Sequence, residues 1–97
     1  MKYGAYGLVE VLGETNAVII TDQMLKTSEV DYVTQDTKCG GHVLVFVGGN
    51  VAPVQAAIES VTANPTCKIF ASAVISNPSE EMVNIVEQFK ARRNKKK

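Results

Sequence analysis

The residues best suited to chemistry lie together near the middle of the chain, where Cys39 and the only histidine, His42, flank two glycines. A thiolate and an imidazole bind transition metals, and a thiolate also takes part in redox reactions. The second cysteine, Cys67, is distant in the sequence, and neither cysteine belongs to a C-x-x-C pair of the zinc or thioredoxin type. One hypothesis is therefore a small metal or redox carrier that uses Cys39 and His42 in a monomer.

Evidence for an enzyme is thin in this sequence. No serine–histidine pattern stands out, and Glu80-Glu81 is better explained as negative charge at a helix N-terminus than as an acid–base pair. Neither glycine-rich phosphate-loop motif occurs. Gly48-Gly49-Asn50 is typical of a turn followed by a helix cap. We therefore expect a protein that is not an enzyme.

The charge distribution is uneven although the net charge is zero. Six of the ten basic residues lie between Lys90 and Lys97, so residues 1–89 carry four basic against ten acidic side chains. An acidic body opposes a polyanion, and the basic tail lacks aromatic residues, so we expect no nucleic-acid binding. The apolar runs are too short for a membrane span, and the start lacks a secretory signal. These features predict a cytoplasmic protein without membrane contact.

The elements that position these residues follow from hydrophobic periodicity. We predict strands over residues 3–12, 30–35, 42–47 and 67–75, with Cys67 as a buried small residue at the start of the last one. Helices are expected from Thr15 or Asn16 to about 28, from 50 to about 63, and from a cap at Asn77 onward. Met82, Ile85, Val86 and Phe89 form the apolar stripe of this last helix.

This order predicts an α+β protein with a ferredoxin-like βαββαβ fold and an added C-terminal helix. A chain of 97 residues is enough for one domain, which we place at residues 1–90, followed by a basic tail at residues 91–97. Many unrelated functions use this architecture, so the site residues must decide among them.

Four segments of the chain, in order and at consistent spacing, resemble bacterial microcompartment (BMC) shell domains. They are Ala5-Tyr6-Gly7-Leu8-Val9-Glu10, Asp22-Gln23-Met24-Leu25-Lys26, Lys38-Cys39-Gly40-Gly41-His42-Val43, and Gly49-Asn50-Val51 with Val54, Ala56 and Ala57. The resemblance covers residue 5 to about residue 80. It implies a BMC domain that forms flat cyclic hexamers, which tile with other shell proteins into a shell around enclosed enzymes.

The resemblance also assigns positions to individual residues. It implies that Lys38, Cys39, Gly40 and Gly41 line a central pore for small molecules, and that Lys26 lies at the edge between hexamers. One departure concerns that edge. The family often has P-R-P-H before its last helix, where this chain has Ser76-Asn77-Pro78-Ser79. Since the bidentate fork of arginine is missing, we expect tiling that is weaker or that depends on other shell proteins.

Cys39 is the second departure, because the family's pore loop usually contains Gly-Ser-Gly. Some shell proteins of propanediol-type and glycyl-radical-type microcompartments carry a pore-loop cysteine that holds an iron–sulfur cluster, and this chain is similar to the second kind. The resemblance therefore implies that Cys39 is a metal ligand and that some of its six copies, such as three alternating ones, hold a 4Fe–4S cluster shared between subunits. The alternative is that Cys39 binds no cluster and is only a small residue that fits a glycine-rich loop.

Two other functions remain open at this point. The chain is also consistent with an oligomeric metabolite sensor of ferredoxin-like fold that binds its ligand between subunits. The monomeric carrier is the second alternative, and there His42 would be a ligand. In the shell protein, by contrast, we expect His42 to be a surface histidine at the start of a strand.

Overall fold

The computed structural model describes residues 3–95, which form a four-stranded antiparallel sheet and three α-helices. The elements in chain order are β1 (Ala5–Leu12), α1 (Glu14–Thr27), β2 (Asp31–Thr37), β3 (His42–Gly49), α2 (Val51–Ala63), β4 (Ala71–Ser76) and α3 (Glu80–Lys95). The strand order is β2-β3-β1-β4, so β2 and β4 are the two edges. This topology confirms the predicted ferredoxin-like fold with an added C-terminal helix.

One face of the sheet is covered by α1 and α2. Alternation along a strand sends every second side chain to this face, and the register places Val9 of β1 opposite Val45 of β3. Ala17, Ile20 and Met24 of α1 are fully buried against them. The other members of this core are Ala5, Val11, Val30, Val43, Val47, Val54, Ala57, Ile58 and Val61.

The opposite face is covered in part by α3, which packs against β2. A smaller core forms there from Tyr6, Val33, Phe46 and Val86. Phe46 is 1% exposed, and its ring centroid lies 5.6 Å from that of Phe89. The end of this face near the turn between β2 and β3 is left uncovered, since Leu12 remains 45% exposed.

Both predicted side-chain caps of the first and last helices are wrong. Helix α1 begins at Glu14, directly after Gly13. Gly13 has a φ of 91°, which glycine adopts readily because it lacks a β-carbon. No side chain caps the start of this helix with a hydrogen bond. Helix α3 begins at Glu80, and its first turn is capped by Ser79, whose Oγ accepts the backbone N–H of Met82 at 3.2 Å. Asn77 instead adopts a positive φ of 51° before the helix.

The last strand begins later than predicted. β4 starts at Ala71, and Cys67 lies in the irregular segment before it. Only Phe70 of that segment approaches the ladder, where its N–H donates to the carbonyl of Glu10 at 2.9 Å. Cys67 is half-buried and packs on the core beneath α1 and α2 rather than on the sheet ladder.

Helix α3 extends through residues 91–95 of the expected tail, while residues 96 and 97 lie outside the described part of the chain. Arg92 places its guanidinium over the ring of Phe89 and lies 3.5 Å from a carboxylate oxygen of Asp36. These contacts hold the last turns of α3 near β2. None of the helices within residues 3–95 is both long and apolar enough to cross a bilayer.

Candidate functional site

The turn between β2 and β3 carries the candidate site, and its backbone closes tightly. Residues Cys39–Gly41 form a single 3₁₀ turn. The N–H of Lys38 donates to the carbonyl of His42 at 2.7 Å, and the N–H of Gly41 donates to the carbonyl of Lys38 at 3.2 Å. These two bonds fix Lys38 and His42 at the base of the turn and place Cys39 at its tip.

The two glycines give the turn its shape. Gly40 and Gly41 have φ angles of 82° and 85°, a region that residues with a β-carbon rarely adopt. A β-carbon at either position would meet nothing closer than 3.7 Å, so the requirement for glycine is conformational and not steric. The carbonyl of Gly41 accepts the N–H of Gly13 at 2.9 Å, which joins the turn to the start of α1.

Cys39 and Lys38 both have exposed side chains. Within residues 3–95, no group of three histidine, cysteine, aspartate or glutamate side chains is placed to hold a metal ion. The described part of one chain therefore does not gather enough ligands around the Cys39 thiol to bind a metal ion. A metal site that uses this thiol needs ligands beyond those that one described chain places together.

The side chain of His42 packs against the sheet and does not project away from it. Its Nδ1 lies 2.9 Å from Oε2 of Glu10. Its ring packs edge-on against Phe70, with 4.7 Å between the centroids. With 30% of its side chain exposed, His42 is half-buried, and the predicted surface histidine is more enclosed than expected.

Sequence reasoning missed Glu10 and Phe70 as neighbours of this site. Glu10 is opposite Leu44, and Leu12 is opposite His42, so the carboxylate reaches the imidazole along a diagonal of the ladder. One signal was available: Glu10 is the single charged residue in the strand Ala5–Leu12. A lone carboxylate in such a strand indicates a partner on a neighbouring strand.

Lys26 lies far from the turn. It is in the last turn of α1, 77% exposed, and its Nζ is 3.1 Å from a carboxylate oxygen of Asp22. Because α1 rises about 1.5 Å per residue, Lys26 is roughly 20 Å from Gly13, the residue bonded to the turn. The structure thus places the predicted pore residues and the predicted edge residue at opposite ends of one helix.

Cys67 is separate from this site in burial and in chemistry. Burial raises the pKa of the Cys67 thiol above its ordinary value, an effect that a hydrogen bond with Thr66 opposes. A thiol with a raised pKa remains protonated near neutral pH, and only the thiolate is a strong metal ligand or nucleophile. Of the two cysteines, Cys39 is the exposed one and is the candidate ligand.

Comparison with known proteins identifies a family whose domain includes the turn between β2 and β3. The BMC domain family matches residues 5–78. The carboxysome shell protein CsoS1B of Hydrogenovibrio crunogenus is 31% identical over 87 residues, which cover 84% of this chain and 88% of that protein. This relative is a carboxysome shell protein.

Two longer proteins also match. The probable carboxysome shell protein CsoS1E of Prochlorococcus marinus is 29% identical over 83 residues, which cover 80% of this chain and 40% of that protein. The crystal structure of a microcompartments protein from Desulfitobacterium hafniense superposes with a TM-score of 0.72 at 25% identity, covering 86% of this chain and 47% of that chain. The chain spans less than half of each. Since the family match covers most of the sequence and the fold agrees with it, the chain belongs to the BMC-domain family.

Proposed function

We propose that this protein is a structural shell protein of a bacterial microcompartment in the cytoplasm, where six copies form a flat ring with a central pore. The observation that carries the proposal is the BMC family match over residues 5–78, joined by relatives that are carboxysome shell proteins. The partners are other copies of the chain, other shell proteins and the enclosed enzymes. The ring itself performs no catalysis.

The pore in this proposal is lined by the turn at Lys38, Cys39, Gly40 and Gly41. Six copies of this turn meet around the rotation axis, and small molecules pass between them. The structure supports this role because the turn is exposed, short and held in one shape by bonds at its base. Glycine at two of the four positions leaves room for close approach of neighbouring backbones.

Ring and sheet formation test the proposal directly. We expect size-exclusion chromatography with light scattering to give six times the chain mass, and electron microscopy to show sheets of tiled rings. Lys26→Ala is expected to keep the sixfold mass and to lose the sheets, because this exposed lysine lies at the outer end of α1 and contacts the adjacent ring.

Lys90→Ala is the matched control, since Lys90 also sits on a helix and lies 3.8 Å from a glutamate, Glu87, one turn before it. We expect this variant to keep both rings and sheets. A wild-type monomer that binds metal would instead favour the carrier hypothesis. A smaller ring that changes with a metabolite would favour the sensor.

We further propose that the ring holds a 4Fe–4S cluster through Cys39, as in the glycyl-radical-type shell proteins that this chain resembles. The donor set fits only in the assembly, because one chain offers a single exposed thiol at the turn and sixfold symmetry turns it into a ring of six. Three alternating thiolates would hold the cluster. A bound cluster would supply one-electron transfer.

Anaerobic reconstitution with iron and sulfide tests the cluster. We expect the wild-type ring to gain broad visible absorbance and about one cluster per six chains, and Cys39→Ser to lose both. Cys67→Ser should behave like the wild type, because the half-buried Cys67 thiol packs on the core of its own chain. Colour that persists in Cys39→Ser would reject the cluster and leave the shell function intact.

A further inference from the structure

Gln23 links the C-terminal ends of α1 and α2 through its side-chain amide. Its Nε2 shares two hydrogens among three acceptors: the carbonyl of Ser60 at 3.3 Å, Oγ of Ser60 at 3.1 Å and the carbonyl of Asn64 at 3.1 Å. Its Oε1 accepts a hydrogen bond from Oγ1 of Thr66 at 3.1 Å. We name these four residues, together with Thr27, the Gln23 network. Both ends of the amide are bonded, which requires a side chain that donates and accepts from one planar group.

The acceptors of this amide belong to the main chain at the end of α2. The last four carbonyls of an α-helix lack a full set of partners within the helix. Ser60 carries one of them, and its oxygen accepts the N–H of Asn64 at 3.0 Å as well as the Gln23 amide. The carbonyl of Asn64 lies just beyond the helix and accepts the same amide. Gln23 therefore bonds α1 to the backbone of α2, not only to one of its side chains.

The last turn of α1 depends on this polar network for its position. Met24 is the last fully buried residue of the helix, and the three residues after it are exposed. Thr27, the last of these, donates from Oγ1 to the carbonyl of Gln23 at 2.7 Å, and the same oxygen lies 3.4 Å from Oγ of Ser60. Since no apolar side chain of this turn is buried after Met24, hydrogen bonds fix the turn relative to α2.

Lys26 lies in this turn, three residues after Gln23. Its ammonium group is paired with Asp22 at 3.1 Å, on the same helix. A pair within one helix fixes the lysine relative to that helix, but it does not fix where the helix end lies relative to the rest of the protein. Both partners are also well exposed, and such pairs contribute little. The place of Lys26 on the surface of the protein is therefore set by the Gln23 network.

We propose that Gln23 is a positioning residue for the edge between rings. It holds the end of α1 against α2, so that Lys26 of every copy meets the adjacent ring at the same place. The inference rests on the proposed tiling through Lys26 and adds the residue that makes this contact reproducible. A symmetric ring repeats any displacement of α1 at all six edges, so a sheet responds strongly to one loosened helix end. An edge held in place before contact also loses less entropy on association.

Gln23→Met tests this role, because methionine is a flexible side chain of similar length that lacks the amide. We expect the sixfold mass to persist in light scattering. The ring concentration at which sheets form, measured by sedimentation and electron microscopy, should rise about tenfold because every edge loses the same preorganised contact. In dispersed rings, the backbone amides of Lys26 and Thr27 should exchange hydrogen about tenfold faster than in the wild type, since local opening of the turn becomes easier.

Asn16→Leu is the matched control, because it removes a side-chain amide at the other end of the same helix. Nδ2 of Asn16 donates to the carbonyl of Leu12 at 2.9 Å, so this variant also loses a bond from a side-chain amide to the main chain. We expect it to keep the wild-type threshold for sheets and the wild-type exchange at Lys26. Urea unfolding compares the stability of the two variants. A role of Gln23 in stability alone would leave both variants with the same threshold.

The outcomes separate this inference from the proposed shell function. Gln23→Met rings that form sheets at the wild-type threshold would overturn the role of Gln23 and leave the tiling intact. Wild-type rings that never form sheets would overturn the tiling and the role of Gln23 together. If Gln23→Met does not fold, Thr66→Val decides, since it removes only the bond to Oε1 of the amide. We expect its threshold to rise about threefold, as for one lost hydrogen bond, and an unchanged threshold would contradict the inference.

Discussion

Replacing Phe46 with alanine is expected to lower the free energy of unfolding by about 3–5 kcal/mol. Phe46 is 1% exposed on the interior strand β3, where it fills the small core with Tyr6, Val33 and Val86. Removing the ring leaves a cavity under α3 and removes its contact with Phe89. Domains of this size are stable by only about 5–15 kcal/mol, so the variant should lose a large share of its stability. Urea unfolding followed by circular dichroism measures the change.

Ile85→Ala is the control for this loss, since Ile85 is on α3 and is 44% exposed. We expect a change within about 0.5 kcal/mol, as is usual for surface positions. Both variants must be compared with the wild type at one protein concentration, because assembly adds to apparent stability. A loss below about 1 kcal/mol for Phe46→Ala would mean that α3 does not pack on this face.

The pair Phe46 and Ile85 also shows how far sequence patterns determine packing. The predicted apolar stripe of α3 has the right periodicity, because Val86 is fully buried and Met82 and Phe89 are half-buried. Ile85 was predicted in the same stripe but is exposed. Periodicity identifies one side of a helix, whereas the width of the buried stripe depends on the surface beneath it. Here α3 covers only part of the sheet, so one position of the stripe is left in solvent.

The site was predictable where it depends on neighbours in sequence. Two glycines between two strands indicate a tight turn, and the structure has Gly40 and Gly41 there with positive φ angles. The contact between His42 and Glu10 was not predictable, because 32 positions separate them and only the β1–β3 register brings them together. A shift of two residues in that register would separate the imidazole from the carboxylate.

Strand β4 was misplaced for a related reason. Cys67, Ile69 and Phe70 are residue types that favour strands, and the pattern alone extends the strand over them. In the structure, Cys67 and Ile69 pack on the core beneath α1 and α2, and Phe70 remains exposed. Burial by a helix and pairing in a sheet favour the same residue types. Sequence therefore cannot separate the two without knowing where α2 ends.

The double variant Gly40→Ala/Gly41→Ala is expected to lower the free energy of unfolding by about 2–4 kcal/mol, since each β-carbon in a left-handed conformation costs about 1–2 kcal/mol. The nearest atoms to the new β-carbons lie 3.7 Å away, so crowding adds nothing to this cost. The chain can relieve the strain by opening the turn. Opening breaks the hydrogen bond that the N–H of Gly13 donates to the carbonyl of Gly41. Urea unfolding measures the loss, and amide hydrogen exchange at Gly13 detects the opening.

Gly4→Ala separates this conformational effect from the general effect of replacing glycine. Gly4 has no positive φ, and a β-carbon there would make ordinary contacts, the nearest at 3.6 Å to the carbonyl oxygen of Gly49. We therefore expect a change within about 0.5 kcal/mol. Equal losses in the two proteins would contradict the strained turn. A loss confined to the double variant would show that the shape of the turn requires glycine, as the proposed pore needs if six copies are to meet in one conformation.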